Sequence, residues 1–329
     1  MNRYLIFRTD RIGDFIFSRM LTNSIKINNP KNKIDFVCSN YNFKYIKNYK
    51  DIHKIYILDK YNISLMIKNM MEINNSNYDY IIILDGKRRS VFFSIFLNAK
   101  NKFAVLKDFR PYLILKIFFN NYFINSDVNS QFDNFKILIN YLNIKVPDKI
   151  DYYQNYKFKK NKFKNLYSKY TLLHLDEKWF KGFYYNDYKD INLSINNFSK
   201  FVNTINKKLK KDIIITSGLF NIETFNSIKK FYFNKIKKNI YVSNKFKFKL
   251  MIVENTDFQD LENIVKKCDE LICCEGAISH VSHSFNKKTY ALINNVKIGN
   301  FWTNHMKNVK LIKRDTINNI SKQIISSFK

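Results

Sequence analysis

The sequence has 329 residues, of which 46% are hydrophobic and 17% are aromatic. A chain of this length and composition can bury the cores of two ordinary domains, which excludes a wholly disordered protein. Its formal net charge is +30, which attracts it to anionic partners without choosing among phosphate, lipid headgroups and nucleic acid. The joint excess of Lys, Asn, Ile, Phe and Tyr is equally typical of an AT-rich coding bias.

No stretch is apolar enough for a transmembrane helix, and charged residues interrupt the start too early for a signal peptide. We therefore expect a cytoplasmic protein. The cysteines Cys38, Cys268, Cys273 and Cys274 form neither a disulfide framework nor a paired C-x-x-C spacing. A zinc cluster of the last three with His280 is conceivable, but adjacent cysteines suit a tetrahedral site poorly, so we expect buried strand thiols and no metal.

Short apolar runs alternate with longer amphipathic segments along the chain. The predicted strands are 3–8, 33–38, 54–58, 79–84, 102–106, 171–175, 212–216, 239–243, 270–274 and 288–293. The predicted helices are 14–27, 62–74, 89–98, 130–143, 195–210, 221–234, 258–267, 277–285 and 316–328. Apolar runs of four to six residues separated by helix-length segments are typical of parallel strands covered on both faces.

The pattern restarts after a polar, Tyr/Lys-rich connection at 147–170, which indicates an α/β protein of two doubly wound parallel-sheet domains, 1–160 and 161–329. The last predicted helix, 316–328, belongs to the second domain or packs back on the N-terminal domain. Ligands of such sheets bind where strands end and helices begin. Four of the six glycines follow predicted strands: Gly13, Gly86, Gly218 and Gly276. If the two domains face each other, these strand ends line one cleft.

The segment RTDRIGD follows the first predicted strand. Gly13 tolerates positive φ and allows another molecule to approach the backbone closely. Asp14 is either a cap of the following helix or a general base aimed into the cleft. Arg8, Asp10 and Arg11 share the loop, and the two cations would keep a carboxylate ionised. Two carboxylates and two arginines in seven residues exceed what a helix cap needs.

The second half carries two comparable strand ends. The turn EGAISH opens a helix whose free N–H groups form an anion site, with Ser279 and His280 placed to add donors. Lys178 follows the strand 171–175, either as a point charge for phosphate or as a solvated lysine of a lysine-rich chain. Further polar residues at strand ends are Thr216, Ser217 and Gly218 in this half, and Lys87, Arg88 and Arg89 in the first.

In this order and spacing, the motifs resemble glycosyltransferase family 9, the ADP-heptose:lipopolysaccharide heptosyltransferases. RTDRIGD after the first strand, the H-x-x-x-K-W segment and the EGAISH turn carry the resemblance, with weaker matches in YDYIIILDGKRRS and SQFDNFKILINYLNI. It spans residue 3 to about residue 295. It implies a GT-B fold, in which two Rossmann-like domains face each other across a cleft, the N-terminal one binding the acceptor and the C-terminal one the nucleotide-sugar.

The resemblance also implies an inverting, metal-independent transfer of a sugar, by family default heptose from ADP-heptose, to a lipopolysaccharide core or another cell-surface glycan. Asp14 matches the family's base, and Lys178 matches the residue that binds the diphosphate. The implied donor-binding residues are Lys178, Thr216, Ser217, Gly218, Glu275, Gly276, Ala277, Ser279 and His280. The implied acceptor-binding residues are Arg8, Asp10, Arg11, Gly13, Lys87, Arg88 and Arg89.

The turn Glu275-Gly276-Ala277 departs from the family pattern, which is Asp, then Thr or Ser, then Gly. The departure removes a hydroxyl donor and puts the identity of the donor nucleotide in doubt. We expect no cofactor besides the nucleotide-sugar substrate, and an anionic, lipid-linked acceptor. The basic and aromatic segment 107–125 would either contact the inner membrane leaflet or lie buried as a helix.

Three other interpretations compete. One is a non-catalytic, basic nucleic-acid-binding protein; because the basic residues show no clustering and no RNA-binding motif is present, we expect no nucleic acid. Another is a glycosyltransferase of the same fold that uses a different nucleotide-sugar. A nucleotide-sugar epimerase is the third, and we expect it to need a dinucleotide fingerprint. The missing G-x-G-x-x-G and G-K-[ST] also argue against dinucleotide dehydrogenases and P-loop enzymes.

Overall fold

The structure is a computed structural model that describes residues 1–59, 61–106, 117–119, 121–124, 129–147, 150–163, 169–180, 193–218 and 221–327. It contains two compact units, Met1–Lys157 and Phe158–Lys329. The chain divides between Lys157 and Phe158, where the sequence analysis places the boundary after residue 160. Each unit is described by itself.

The first unit is a parallel sheet covered by helices. Its strands are β1 (Arg3–Arg8), β2 (Lys33–Cys38), β3 (Lys54–Ile57), β4 (Tyr78–Ile83), β5 (Ala99–Leu106) and β6 (Asn121–Ile124). Its helices are α1 (Ile12–Asn28), α2 (Asn40–Ile46), α3 (Ile63–Asn74), α4 (Arg88–Ile95) and α5 (Gln131–Tyr141). The strand order is β3-β2-β1-β4-β5-β6, and all the pairings are parallel.

The central strands of this sheet are continuous apolar runs because helices cover both faces. The side chains of Leu5, Ile6 and Phe7 in β1 are fully buried, as are those of Ile81 and Ile82 in β4. The chain order of the strands reverses between β1 and β4. In open α/β sheets a ligand crevice forms at such a reversal, outside the carboxyl ends of the two strands.

The second unit repeats the plan. Its strands are β7 (Tyr170–Leu175), β8 (Asp212–Ser217), β9 (Asn234–Lys237), β10 (Ile240–Ser243), β11 (Leu250–Val253), β12 (Glu270–Cys274), β13 (Lys288–Ile293) and β14 (Val309–Lys313). Its helices are α6 (Ile195–Leu209), α7 (Glu223–Tyr232), α8 (Phe258–Lys267), α9 (Ala277–Ser284), α10 (Val296–Thr303) and α11 (Ile317–Ser326). The strand order is β14-β13-β12-β7-β8-β11-β10-β9.

The six strands from β14 to β11 are parallel and have the same order as the first sheet, so the reversal lies between β7 and β12. The remaining two, β9 and β10, form an antiparallel hairpin at the edge. The sequence analysis places a strand at 239–243 as one more buried parallel strand. Instead, Asn239 has a φ of +64° in the hairpin turn, a conformation that asparagine tolerates better than most residues.

The predicted α/β architecture is confirmed, and four strands and two helices are additions to the predicted list: β6, β9, β11, β14, α2 and α10. All six are short, and β14 (VKLIK) mixes apolar and basic residues, whereas β11 (LMIV) is an apolar run of four that the predicted list omits. For α11, the structure assigns the apolar face to the core of its own unit, where Ile317, Ile320 and Ile324 are buried. Whether the rest of the helix also packs back on the N-terminal domain stays a prediction.

The segment 107–125 lies largely outside the described residues. Within it, Phe119 is buried in the core of the first unit, whereas Ile117 and Phe118 are exposed. All four cysteines are buried and free. Among the helices of the described ranges, none is long and apolar enough to span a bilayer.

Candidate functional site

In the first unit, a buried carboxylate joins the loops that follow β1 and β4. Asp85 accepts hydrogen bonds from the Thr9 N–H at 3.1 Å and the Thr9 hydroxyl at 2.5 Å. It also accepts from the Ser90 hydroxyl at 2.7 Å and the Lys87 N–H at 3.1 Å. Gly86, with a φ of +57°, allows the turn between Asp85 and Lys87. Two loops that lie 76 positions apart in the chain are thereby held at one sheet edge.

Arg8 organises the loop after β1. Its side chain is 2% exposed, and its guanidinium donates to the backbone oxygens of Asp14 at 3.0 Å and Leu84 at 2.7 Å. The same guanidinium lies 3.3 Å from the Asp10 carboxylate and 3.8 Å from that of Asp14. Arg8 was expected to bind the acceptor directly. The structure shows its guanidinium buried and in contact with both carboxylates of the loop, and acceptor binding by Arg8 stays a prediction.

The two carboxylates of this loop have different surroundings. Burial raises the pKa of Asp10 to about 6 despite the opposing effect of the Arg8 charge, and the neighbouring carboxylates of Asp14 and Asp85 add to the rise. Asp14 is more exposed, with 24% of its side chain accessible against 16% for Asp10. One Asp14 carboxylate oxygen accepts the Arg11 N–H at 3.2 Å, which leaves the other oxygen facing Arg8.

Asp14 lies in the first turn of α1, one of the two places expected for it. Arg11 is the N-cap residue, and Asp14, the third residue of the helix, bonds back to it. The loop corrects one expectation. Gly13 is a buried residue of α1, and its φ is not positive. The backbone at Gly13 therefore does not adopt the positive φ that was expected to require a glycine.

The remaining cations predicted for this site lie at the start of α4. The ammonium of Lys87 donates to the Thr9 carbonyl at 3.0 Å, across the crevice between the two strands. Arg88 begins α4 and is exposed, and Arg89 is partly exposed. The first unit thus presents a carboxylate pair on one side of the β1–β4 crevice and a cationic helix start on the other.

In the second unit, Lys178 lies in a short 3-10 turn, Glu177–Trp179, directly after β7. Trp179 anchors the turn because it is fully buried, packs on Phe201 with ring centroids 5.8 Å apart and donates from its indole N–H to the His174 carbonyl at 2.9 Å. Asp176 caps the turn by accepting the Lys178 N–H at 3.1 Å. The ammonium of Lys178 donates to the backbone oxygen of Glu275, across the β7–β12 crevice.

Arg314, which the sequence analysis does not single out, holds the same turn from the other side. It follows β14, is 3% exposed and donates to the Lys178 carbonyl at 2.7 Å and to the Cys274 sulfur at 2.8 Å. The signal available in the sequence was an arginine in a chain whose basic residues are mostly lysine. It was missed because β14 itself was missed.

Asp176 and His174 respond to this environment in different ways. Burial raises the pKa of Asp176 to about 6, against the opposing charge of Lys178. Burial lowers the pKa of His174 to about 4, and the Lys178 charge adds to the effect. His174 is therefore neutral at physiological pH, and its Nδ1 lies 2.9 Å from the Thr216 hydroxyl. Because Thr216 is fully buried, its side chain is a packing partner of His174 rather than a ligand contact.

The turn before α9 meets Lys178 directly. A Cβ on Gly276 would lie 3.0 Å from the Lys178 ammonium, and a Cβ on Gly218 would lie 3.3 Å from the Asp176 Cα. The two glycines therefore let the loops after β12 and β8 approach the lysine turn. Glu275, Gly276 and Ala277 are partly exposed, and so are Ser217 and Gly218 at the end of β8.

Two residues expected to donate to a ligand here face inward. The Ser279 hydroxyl is fully buried, accepts the Gly276 N–H at 3.0 Å and lies 2.9 Å from the Gly276 carbonyl. His280 is 5% exposed. At this crevice the structure places the start of α9 beside the Lys178 ammonium, and the Arg314 guanidinium on the Lys178 carbonyl. Ligand binding by Ser279 and His280 stays a prediction.

The structure brings Lys178, Gly218, Glu275 and Gly276 together at one crevice, and Arg8, Asp10, Asp14 and Lys87 at another. Facing of the two crevices across one cleft stays a prediction. Within the described ranges, no group of three or more His, Cys, Asp and Glu side chains is arranged to hold a metal ion.

Comparison with solved structures decides the fold. A family 9 glycosyltransferase from Veillonella parvula is 13% identical and superposes with a TM-score of 0.70, covering 98% of this chain and 91% of that one. The heptosyltransferase WaaC of E. coli, solved with ADP, is 12% identical with a TM-score of 0.66, covering 99% and 97%. The chain has the fold of the family 9 glycosyltransferases. This is the GT-B architecture that the motifs led us to expect.

The same fold also occurs in proteins with another activity in their names. A putative UDP-N-acetylglucosamine 2-epimerase from Listeria monocytogenes is 12% identical with a TM-score of 0.61, covering 99% of this chain and 87% of that one. No protein-family model matches the sequence, and no curated protein does. At these identities the likeness establishes the fold, and the activity has to be argued from the two crevices.

Proposed function

We propose that the chain is an inverting glycosyltransferase that moves a sugar from a nucleoside diphosphate to an acceptor hydroxyl. One observation carries the proposal: the anchored ammonium of Lys178 lies against the start of α9, at the strand-order reversal of the second unit. A cation beside a helix N-terminus is the arrangement that binds phosphate groups. The GT-B fold supports the same assignment.

The donor diphosphate binds at the β7–β12 crevice. The Lys178 ammonium has three N–H donors, and the Glu275 carbonyl takes one of them. The other two, together with the first N–H groups of α9, hold the diphosphate and stabilise the charge that develops on it as the glycosidic bond breaks. The solved heptosyltransferase with ADP supports ADP as the nucleotide to test first.

The acceptor binds at the β1–β4 crevice, near Asp14 and the cations that begin α4. The acceptor oxygen attacks the anomeric carbon, the bond between that carbon and the diphosphate oxygen breaks, and Asp14 takes the hydroxyl proton. Arg8 holds the Asp14 loop through its backbone oxygen and keeps both carboxylates within 4 Å of one guanidinium. No cofactor enters this scheme.

For the substrates we propose a heptose linked to ADP and a lipopolysaccharide core or another cell-surface glycan, carried by a lipid on the cytoplasmic face of the inner membrane. The names of two solved E. coli proteins, the heptosyltransferase WaaC and the ADP-heptose lps heptosyltransferase II, support this choice of sugar and acceptor. The exposed cations at the start of α4 suit an acceptor that carries phosphates or carboxylates. The proposal places the protein in the cytoplasm, with peripheral contact to that membrane.

The first test is nucleotide binding measured by calorimetry with ADP, GDP, UDP and dTDP. We expect Lys178→Met to weaken binding of the preferred nucleotide by about 10- to 100-fold, because it removes hydrogen bonds from a charged donor worth about 1.5–3 kcal/mol. Lys235→Met is the matched control, because it removes one positive charge from the exposed strand β9 of the same unit. A preference for single-stranded RNA over all four nucleotides would contradict the proposal.

Epimerisation is the second candidate, because the Listeria protein named an epimerase shares the fold. The two activities differ in what they consume. Incubation with a nucleotide-sugar alone gives an epimeric nucleotide-sugar if the chain is an epimerase, whereas a transferase leaves the donor sugar unchanged until an acceptor is added. Chromatography of the products with and without acceptor separates the two.

A further inference from the structure

Two helices of the first unit expose apolar stripes where a surface helix normally carries polar residues. On α3 the residues Ile63, Ile67 and Met71, spaced four apart, are each between 47% and 65% exposed. Phe92 on α4 and Phe96, which caps the carboxyl end of α4, are 62% and 52% exposed, and their ring centroids lie 5.2 Å apart. Together these five side chains are called the α3–α4 stripe.

Other side chains of the same two helices pack in the core, so the stripe is a separate outer surface. The opposite face of α3 places Met66, Met70 and Ile73 against the sheet, and that of α4 places Val91 and Phe93 there, in one shared core. Both helices therefore cover the same face of the sheet and present their outer sides together. Their carboxyl ends are joined by Asn74, which donates to the Phe96 carbonyl at 2.9 Å and accepts the Asn98 N–H at 2.8 Å.

The charges on these helices have one dominant sign. The two helices contain three cations, Lys68, Arg88 and Arg89, and one carboxylate, Glu72. The carboxylate is already paired with Lys54 of β3. An apolar stripe flanked by uncompensated cations complements a surface that is negatively charged outside and apolar beneath.

We propose that the α3–α4 stripe docks the protein on an anionic lipid bilayer, with the five apolar side chains in the interface and the cations at the headgroups. A second copy of the chain fits the stripe less well, because a twofold interface would set one net-positive surface against another. The chain's net charge of +30 opposes self-association further and favours the anionic surface.

The stripe also leads to the candidate acceptor site. Arg88, Phe92 and Phe96 follow one another at four-residue spacing along α4, and Arg88 begins the helix at the carboxyl edge where Lys87 and Asp85 lie. A bilayer on the stripe would bring a lipid-linked acceptor to that edge. This last step rests on the proposed function, whereas docking itself does not.

The test is co-sedimentation of the full chain with phosphatidylcholine vesicles, with and without phosphatidylglycerol. We expect binding to the anionic vesicles, and a loss of more than about tenfold in the partition coefficient for the double variant Ile67→Ser with Phe92→Ser. The matched control is Phe231→Ser with Ile236→Ser, a similarly exposed pair in the second unit, which should bind as the wild type does. Far-UV circular dichroism and thermal unfolding confirm that both variants are folded.

Equal binding by the wild type and the stripe variant overturns the proposal, as does equal loss in the control pair. A wild-type dimer that becomes monomeric in the stripe variant, measured by light scattering, assigns the surface to a second copy and also overturns it. Vesicle binding needs no sugar transfer, so a chain that docks without transferring sugar refutes the proposed function alone. A chain that transfers sugar to a soluble acceptor but never docks refutes the docking and the proposed membrane contact, and leaves the sugar transfer standing.

Discussion

Replacing Asp10 with Asn should stabilise the first unit at neutral pH and not at acid pH. Burial raises the pKa of Asp10 from 3.8 to about 6 in the folded chain. The folded state therefore binds more protons than the unfolded state between those two values, and stability falls as the pH rises through them. Because the Asn side chain does not ionise, the stability of the variant does not fall for this reason as the pH rises.

The size of the effect follows from the same pKa. A rise from 3.8 to about 6 corresponds to roughly 3 kcal/mol against the ionised carboxyl in the folded state. Below pH 4 most of this penalty is absent, and above pH 6 it is complete. The difference in the free energy of unfolding between Asp10→Asn and the wild type should therefore grow by about 2–3 kcal/mol from pH 4 to pH 7.

Urea unfolding separates the two units. Both tryptophans, Trp179 and Trp302, belong to the second unit, so their fluorescence follows that unit while far-UV circular dichroism follows both. Asp10→Asn should shift the unfolding transition of the first unit, which circular dichroism detects and tryptophan fluorescence does not. A difference between Asp10→Asn and the wild type that stays constant from pH 4 to pH 7 would refute the reasoning.

Asp79 supplies a control with the opposite sign in the same unit. Although burial acts to raise it, the pKa of Asp79 is lowered by its ion pair with Lys100 and by the Arg3 N–H. The ionised form is favoured in the folded state, so this group contributes stability that is lost as the pH falls. Asp79→Asn should therefore become less stable than the wild type as the pH rises, where Asp10→Asn becomes more stable.

Three further predictions concern single residues. Asp14→Asn should lower turnover by about 10²–10⁴ and leave ADP affinity unchanged, because the donor binds in the other unit; steady-state kinetics and calorimetry measure the two. Arg314→Met should weaken ADP binding about tenfold, because it releases the Lys178 carbonyl, and Trp179 fluorescence should report the altered turn. Asp35→Ala should cost the first unit about 3–5 kcal/mol in urea unfolding, because the fully buried carboxylate accepts from Arg3 and Tyr78.

A different experimental result would contradict each of these three predictions. Near-normal turnover in Asp14→Asn would remove Asp14 as the base and turn attention to Asp10. If Arg314→Lys binds ADP as weakly as Arg314→Met, charge alone is insufficient and the guanidinium geometry at the Lys178 carbonyl matters. If neither variant changes affinity, Arg314 does not position the lysine. A loss below 1 kcal/mol in Asp35→Ala would mean that water replaces the carboxylate among its donors.

The two candidate crevices share a physical feature. Each contains a mostly buried aspartate whose pKa is raised to about 6, Asp10 in the first unit and Asp176 in the second. Ionised carboxylates held against burial at neutral pH lower stability, and such groups concentrate at functional sites. The coincidence of both with a strand-order reversal supports the choice of these two crevices over the rest of the surface.

Much of the fold could be predicted because its signals are local. Buried parallel strands are short apolar runs, and the helices between them are long enough to show a 3.6-residue period. The segment RTDRIGD and the Lys178 segment were placed at the ends of strands on these grounds, and they lie at the ends of β1 and β7. The basic strand β14 carries no comparable pattern and was missed together with Arg314. The strand β11 (LMIV) is an apolar run of four that the predicted list omits although it fits the pattern.

The roles of individual side chains were harder to predict, because a role depends on the direction in which a side chain points. Thr216 and Ser279 are the hydroxyls one expects to bind phosphate, yet both are buried against neighbours in their own unit. Arg8 is likewise turned inward to backbone oxygens. Sequence spacing places a residue at a strand end. It does not decide in which direction the side chain points or which neighbours it contacts.

By itself, the sequence determined the alternation of strands and helices and the division into two α/β domains. It also determined the concentration of charged residues at strand ends. Each of these depends on residues that are close together in the chain. Tertiary structure alone decided which strands adjoin. Strand adjacency sets β1 beside β4 and β7 beside β12, and so brings Thr9 to Asp85 and Arg314 to Lys178, which is 136 positions away. Contacts at such separations depend on the order of strands in a sheet, which no local pattern records.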